Sequence, residues 1–285
     1  LQQTQVATVI PYFNRFIKYI PNLKVLAQYD DQKLIKLWEG LGYYSRVKNL
    51  KKTAQIIIKD FNKSLPDNLL DLKSLPGIGD YTASAIMAIA FNKPIIPLDG
   101  NIERVLKRYL YLKKENQIHK NNLIKQKKIF GTSLRASDYA QALMELGALI
   151  CKPINPYCEQ CPISEKCKSY KKKDFVLNKL KKNNKEKYYL LNVYKKEKKY
   201  LLIKNKNFNF LKNLDIFPMQ EIIRPKNFDH NLNFKMSNMN MNIKIKTNKI
   251  NKPLPFSYWI DPKKLKKYTL PTFTKKIVSY LENQS

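Results

Sequence analysis

Residues 75–83 read Leu75-Pro76-Gly77-Ile78-Gly79-Asp80-Tyr81-Thr82-Ala83. The chain holds only seven glycines in 285 residues, so two of them in this short run mark a backbone requirement. Apolar residues before and after the run recur at three- and four-residue spacing, and residues 80–91, rich in Ala, Ser and Ile, read as a closely packed buried helix. The stretch is therefore a hairpin between two helices. The second helix starts near Asp80, so its free N–H groups and the positive end of its dipole face the hairpin. Such a turn suits a phosphate held by backbone at Gly77 and Gly79; read alone, it also suits an ordinary glycine-containing helix connection.

Outward from the hairpin the helical spacing continues, over residues 6–20, 34–38, 50–61, 99–112 and 137–150. Residues 1–168 thus form a mainly α-helical domain. A polar, Lys-rich run follows over residues 169–187 and reads as a basic linker. From Tyr188 the pattern changes to short strand-like runs, YYLLNVYKK (188–196), KYLLIKN (199–205) and MNIKIKTNKI (241–250). Residues 263–281 look helical with an interruption near Pro271. Residues 188–285 are expected to be a smaller α+β domain.

Fifty-four Lys and Arg against 22 Asp and Glu give a net charge of +32. A polyanion is the default partner, nucleic acid first. The halves are unequal: +12 for residues 1–168 and +20 for residues 169–285. With 44% hydrophobic residues the chain is globular rather than a disordered basic tail. No apolar run approaches the ~18 residues of a membrane span, and the first ten residues lack the basic start of a secretory leader. A protein that binds a polyanion and lacks a membrane span is expected. His119 and His230 read as surface residues, since nothing in the sequence pairs them.

All four cysteines lie within 17 residues, as Cys151-x6-Cys158-x2-Cys161-x5-Cys167. A disulfide scaffold would spread its cysteines, so this is a metal or cluster site in a reducing compartment. Spacing alone leaves tetrahedral zinc and an iron–sulfur cubane both open. Upstream, Pro97-Leu98-Asp99-Gly100-Asn101-Ile102-Glu103-Arg104-Val105 places Asp99 at a helix start, where it caps.

Taken together, the hairpin, the Asp99 segment, the cysteine array, the opening Leu1-Gln2-Gln3-Thr4-Gln5-Val6 and Gly40-Leu41-Gly42-Tyr43-Tyr44-Ser45-Arg46 resemble adenine DNA glycosylases of the MutY type, in the endonuclease-III-like helix–hairpin–helix superfamily. The resemblance covers residues 1–168 almost continuously. It implies a [4Fe-4S] cluster on Cys151, Cys158, Cys161 and Cys167. It implies double-stranded DNA with adenine opposite 8-oxoguanine or guanine as substrate, and the adenine flipped out for excision. Asp99 becomes the carboxylate that stabilises the cationic sugar as the glycosidic bond breaks, with Asn101 orienting it or the water. Gln3 and Tyr43 become lesion-side probes, Tyr43 wedged in the base stack. Relatives with lyase activity carry a Lys at the place of Tyr81 and form a Schiff base with it. Tyr81 implies a monofunctional hydrolase instead, in which this tyrosine lies against the catalytic Asp99 and helps hold the cationic intermediate.

The family's general acid is a Glu just ahead of the LQQTQV motif. The sequence starts at Leu1 and reads as truncated; taken as a whole protein, it is expected to excise little or no adenine and to act as a mismatch-binding protein. Residues 188–285 resemble the family's Nudix-like lesion-recognition domain through Asp215-Ile216-Phe217-Pro218, Trp259 and Leu270-Pro271-Thr272. The family's F-S-H loop falls on Met236-Ser237-Asn238, which keeps only Ser237. No Glu-rich hydrolase helix accompanies it.

Overall fold

The computed structural model describes Thr4 and residues 6–176, 185–225, 227–236, 239–248 and 254–284. The chain divides into two compact units: residues 56–181, and residues 1–55 together with 182–285.

The unit of residues 56–181 is helical. It contains α5 (Leu69–Ser74), α6 (Asp80–Ile89), α7 (Gly100–Leu110), α8 (Glu115–Ile118), α9 (Lys120–Gln126), α10 (Ala136–Glu145) and α11 (Lys168–Lys171). Ala83 and Ala88 on α6 and Ala140 on α10 are buried, and their small side chains let the helices pack closely. Ile102, Val105 and Leu106 form the buried stripe of α7 at helical spacing. The Asn68 side chain caps α5 by accepting from Asp71 N–H at 2.9 Å. The expected helix over 137–150 is in fact α10 followed by a π turn, Leu146–Ile150, which leads into Cys151. Such π turns collect at functional sites.

In the other unit, α1 (Val6–Tyr19), α2 (Leu23–Gln28), α3 (Asp31–Trp38) and the start of α4 (Ser45–Asp60) precede the sheet segment. Asn22 and Asp30 cap α2 and α3 through bonds of 3.0 Å and 2.9 Å. The strands are β1 (Lys185–Lys196), β2 (Lys199–Lys204), β3 (Asp215–Ile216), β4 (Met219–Ile222), β5 (Leu232–Met236), β6 (Met239–Asn248) and β7 (Ser257–Ile260). They run β3-β2-β1-β6-β5, with β4 on β1 and β7 on β2. β1 and β6 pair in parallel, Tyr189 opposite Ile243 and Leu191 opposite Ile245; the other pairings are antiparallel. Alternation sends Tyr189, Leu191, Val193, Met241 and Ile243 to the core, where α12 (Thr272–Glu282) covers them with Phe273, Ile277 and Val278.

β1 starts three residues before the expected Tyr188. Glu186 and Lys187 have partners across the sheet: Asn240 and Asn242 bond to Glu186 at 2.6 Å and 2.8 Å, and Lys187 pairs with Glu221. β3, β4 and β7 are too short to show alternation, whereas β5 alternates apolar and polar residues as Leu232-Asn233-Phe234-Lys235-Met236, a signal the sequence reading passed over. A helix interrupted near Pro271 is found as expected, a 3-10 stretch Pro262–Lys267 and then α12. Among the described residues no helix is long and apolar enough to cross a membrane.

Candidate functional site

The hairpin between α5 and α6 is built from backbone. Leu75 is buried and anchors the turn, which Ile78 N–H closes onto the Leu75 carbonyl at 3.1 Å. Gly77 lies at φ +82°, the left-handed region that a side chain resists. Gly79 is the N-cap of α6 and supplies no side-chain cap, and a Cβ there would meet nothing within 4 Å. The first N–H groups of α6 are thus presented over open space, where an anion satisfies them. Asp80 in that first turn is paired with Lys73 at 2.8 Å, which also holds its carboxyl below the usual range.

Asp99 caps α7. One carboxylate oxygen, Oδ1, accepts from the N–H groups of Asn101 at 2.9 Å and Ile102 at 2.7 Å. Two bonds on one oxygen fix the carboxylate at the helix start. Tyr81, 38% exposed, shares this environment: burial and the negative charge of Asp99 push its phenol up. The Asn101 side-chain oxygen accepts from Arg104 Nη2 at 2.9 Å, and Arg104 Nε donates to the Cys151 carbonyl at 2.7 Å. Arg104 also donates to the Gly147 carbonyl. The three expected catalytic residues are brought together, and Arg104 ties them to the π turn and the start of the cysteine loop.

Gly147 was not foreseen. A Cβ there would stand 2.5 Å from Asn101 Cβ and 2.9 Å from its backbone. Only glycine lets the π turn approach the start of α7 this closely. Gly147→Ala is expected to push Asn101 away from Arg104 and cost about 1–3 kcal/mol by overpacking; an unfolding midpoint equal to the parent's would show that the contact relaxes freely. The signal in the sequence was a single glycine in an otherwise apolar run, which no motif marks.

All four cysteines are free and half-buried, and they line one cavity with Val105, Arg108 and Leu146. Burial and then the neighbouring Cys151, Cys167 and Cys161 push the Cys158 thiol up; burial does the same for Cys161. Thiolates gathered there call for positive charge. Arg108, only 3% exposed, supplies part of it: its guanidinium lies 3.4 Å from Cys151 Sγ. The same group donates to the carbonyls of Lys152 at 2.6 Å, Pro153 at 2.9 Å and Phe175 at 3.2 Å. Lys152 stands over the Tyr157 ring at 4.4 Å, on the outer side of the loop. Among the described residues no group of three or more His, Cys, Asp or Glu is set for a single metal ion. The four cysteines share the lining of this mostly apolar cavity. Their number, type and apolar setting fit a polynuclear iron–sulfur group, in which each sulfur meets its own iron.

In the other unit, residues 40–43 form a tight turn with Gly40 at φ +106°, Gly42 at +69° and Tyr43 at +44°. Trp38 Nε1 donates to the Gly42 carbonyl at 2.9 Å, and Arg46 stacks over the Tyr43 ring at 5.1 Å. Tyr43 is 52% exposed and held in a left-handed conformation costly for a tyrosine. Gln3 and Ser237 lie outside the described residues. His119 and His230 are exposed, as expected.

Residues 1–128 match the family model described as HhH-GPD superfamily base excision DNA repair protein. The chain is 41% identical over 225 residues to the adenine DNA glycosylase of Buchnera aphidicola subsp. Baizongia pistaciae, a match covering 76% of this chain and 63% of that protein. It is 39% identical over 178 residues to the adenine DNA glycosylase of Mus musculus, covering 60% and 34%. The match thus spans less than two thirds of these curated relatives. Among solved structures, a thermostable thymine-DNA glycosylase aligns with a TM-score of 0.52 at 28% identity, over 60% of this chain and 80% of that one. A non-covalent endonuclease III–DNA complex aligns with a TM-score of 0.52 at 24% identity and shows the fold alone.

Proposed function

We propose, from the premise that this chain belongs to the HhH-GPD superfamily of base excision DNA repair proteins, that it is a monofunctional glycosylase that hydrolyses adenine from double-stranded DNA where adenine stands opposite 8-oxoguanine or guanine. The observation that carries the reading is the fixed Asp99 carboxylate at the start of α7, with Tyr81 close enough for its charge to raise the phenol, where a lyase would need an amine. As the bond from the sugar to adenine breaks, positive charge develops on the sugar, and the capped Asp99 carboxylate stabilises it. Tyr81 and Asn101 hold that carboxylate's surroundings. Water then forms the new bond to the sugar, and adenine leaves with a proton; in the family that the chain resembles, a Glu ahead of the LQQTQV motif donates it.

DNA is gripped by few placed groups and many diffuse ones. Backbone N–H groups at Gly77 and Gly79 take a phosphate, and Tyr43 and Gln3 probe the mispair. The sheet domain is read as Nudix-like, with Ser237 as its lesion contact, and the +20 charge of residues 169–285 supports a salt-sensitive grip. Cys151, Cys158, Cys161 and Cys167 are the ligands of a [4Fe-4S] cluster. Such a cluster supplies a rigid, charged fold to the loop and no bond-breaking chemistry. The protein works as a monomer on the bacterial nucleoid.

The test is a duplex carrying one A:8-oxoguanine pair and the complete gene product. Adenine release without a borohydride-trapped covalent adduct is the expected result. A trapped adduct would make the protein a lyase. Tight binding with no base release would make it a mismatch-binding protein. Iron and acid-labile sulfide in equal amounts identify the cluster, and zinc in their place would overturn it.

A further inference from the structure

Glu39 follows α3 and immediately precedes the turn at residues 40–43. Acidic residues are scarce in this chain, yet the Glu39 side chain is only 12% exposed and faces two lysines. Lys36 Nζ stands 2.7 Å from Oε2, and Lys275 Nζ stands 2.6 Å from Oε1. Leu270 N–H also donates to Oε1, at 3.2 Å. Leu270 leads into α12 and Lys275 lies on it. Lys36 further donates to the carbonyls of Lys266 at 3.2 Å and Tyr268 at 3.3 Å. Burial pushes the Glu39 carboxyl up, but the bonds from Lys275, Lys36 and Leu270 outweigh it and hold it below the usual range. The residue's own carbonyl accepts from Tyr12 Oη at 3.0 Å.

A half-buried carboxylate with two ammonium donors and a backbone donor is a stronger tie than an exposed ion pair. Its place in the chain gives it a purpose. The turn needs three unusual backbone conformations within four residues, at Gly40, Gly42 and Tyr43, and such a turn keeps its shape only where its ends are fixed. Trp38 fixes it from within; Glu39 fixes its base to the sheet domain.

We propose that Glu39 is a positioning residue for specificity, which locks the turn at residues 40–43 to the α12 end of the sheet domain so that Tyr43 and that domain meet the mispair as one body. The proposal rests on the reading of Tyr43 as the DNA wedge and of the sheet domain as the reader of the base opposite adenine. Replacing the carboxylate with an amide leaves two ammonium groups facing each other with one neutral oxygen between them, so the turn and the domain separate.

The test uses Glu39→Gln, Lys275→Met and the double variant of the full protein. Binding to duplexes with A:8-oxoguanine and with A:G is compared at one salt concentration. Each single variant is expected to lower the ratio of the two affinities about three- to tenfold, and the double variant no further, as for two halves of one tie. Hydrogen exchange at residues 40–44 and 268–272 should quicken together. If Glu39→Gln fails to fold, Lys275→Met, which leaves Glu39 paired with Lys36, carries the same test. A parent that prefers A:8-oxoguanine and variants that keep that preference in full would overturn the lock. A parent with no preference would overturn the underlying reading, and the lock with it.

Discussion

Replacing Asp99 with Asn is expected to reduce single-turnover adenine release by at least about 10³-fold, equivalent to about 4 kcal/mol of transition-state stabilisation. The fold should survive it. Asn caps helices about as well as Asp, and the bonds that hold the cap, from Asn101 and Ile102 N–H, both go to Oδ1, an oxygen that asparagine retains. What asparagine lacks is the negative charge. In the proposed reaction that charge faces a sugar becoming cationic, and no neutral amide replaces it. The unfolding midpoint should therefore shift by less than about 1 kcal/mol equivalent while the rate collapses. Affinity for an A:8-oxoguanine duplex should stay within a fewfold of the parent, since the phosphate and wedge contacts are untouched. A variant that keeps a tenth or more of the parental rate would remove Asp99 from the chemistry and leave it as a cap. A variant that unfolds would show that the charge was structural.

The candidate site was legible because each of its parts is local. The hairpin depends on two glycines whose need is visible in residues 75–83, and the structure finds Gly77 at positive φ and Gly79 at the N-cap. Asp99 sits where a helix start wants an oxygen acceptor. Four cysteines in 17 residues can only be neighbours. What escaped the sequence is what joins distant parts. Gly147 matters through Asn101, Arg108 through Pro153 and Phe175, and Glu39 through Lys275; none of these pairs has a spacing that helix or strand geometry would flag. The sheet was half legible for the same reason. β1, β2 and β6 are long enough to alternate, whereas β3 has two residues and β4 and β7 four each, placed by their neighbours rather than by their own pattern.

Arg108 is the sharpest case of that hidden class, and its removal should be the most destabilising single change in the helical unit. Arg108→Met fills similar volume but deletes a guanidinium that serves the carbonyls of Lys152, Pro153 and Phe175 and lies 3.4 Å from Cys151 Sγ. A hydrogen bond from a charged group is worth about 1.5–3 kcal/mol, so three together imply a loss of about 4 kcal/mol or more after relaxation. A domain of ordinary stability, about 5–15 kcal/mol, would lose a large part of it. Arg108→Lys should rescue little, because one ammonium cannot span a fork of three carbonyls. The exposed pair Arg135–Asp138 is the control: Arg135 is 83% exposed, and Arg135→Met should move the midpoint by less than about 0.5 kcal/mol equivalent. Denaturant unfolding of the three variants checks the ranking. The loop that Arg108 holds carries the cysteines, so, with the proposed cluster bound there, the iron content of Arg108→Met should fall along with its stability. If Arg108→Met unfolds within about 1 kcal/mol of the parent and keeps its iron, the loop is held by the cysteines and their cluster alone, and the buried guanidinium is dispensable.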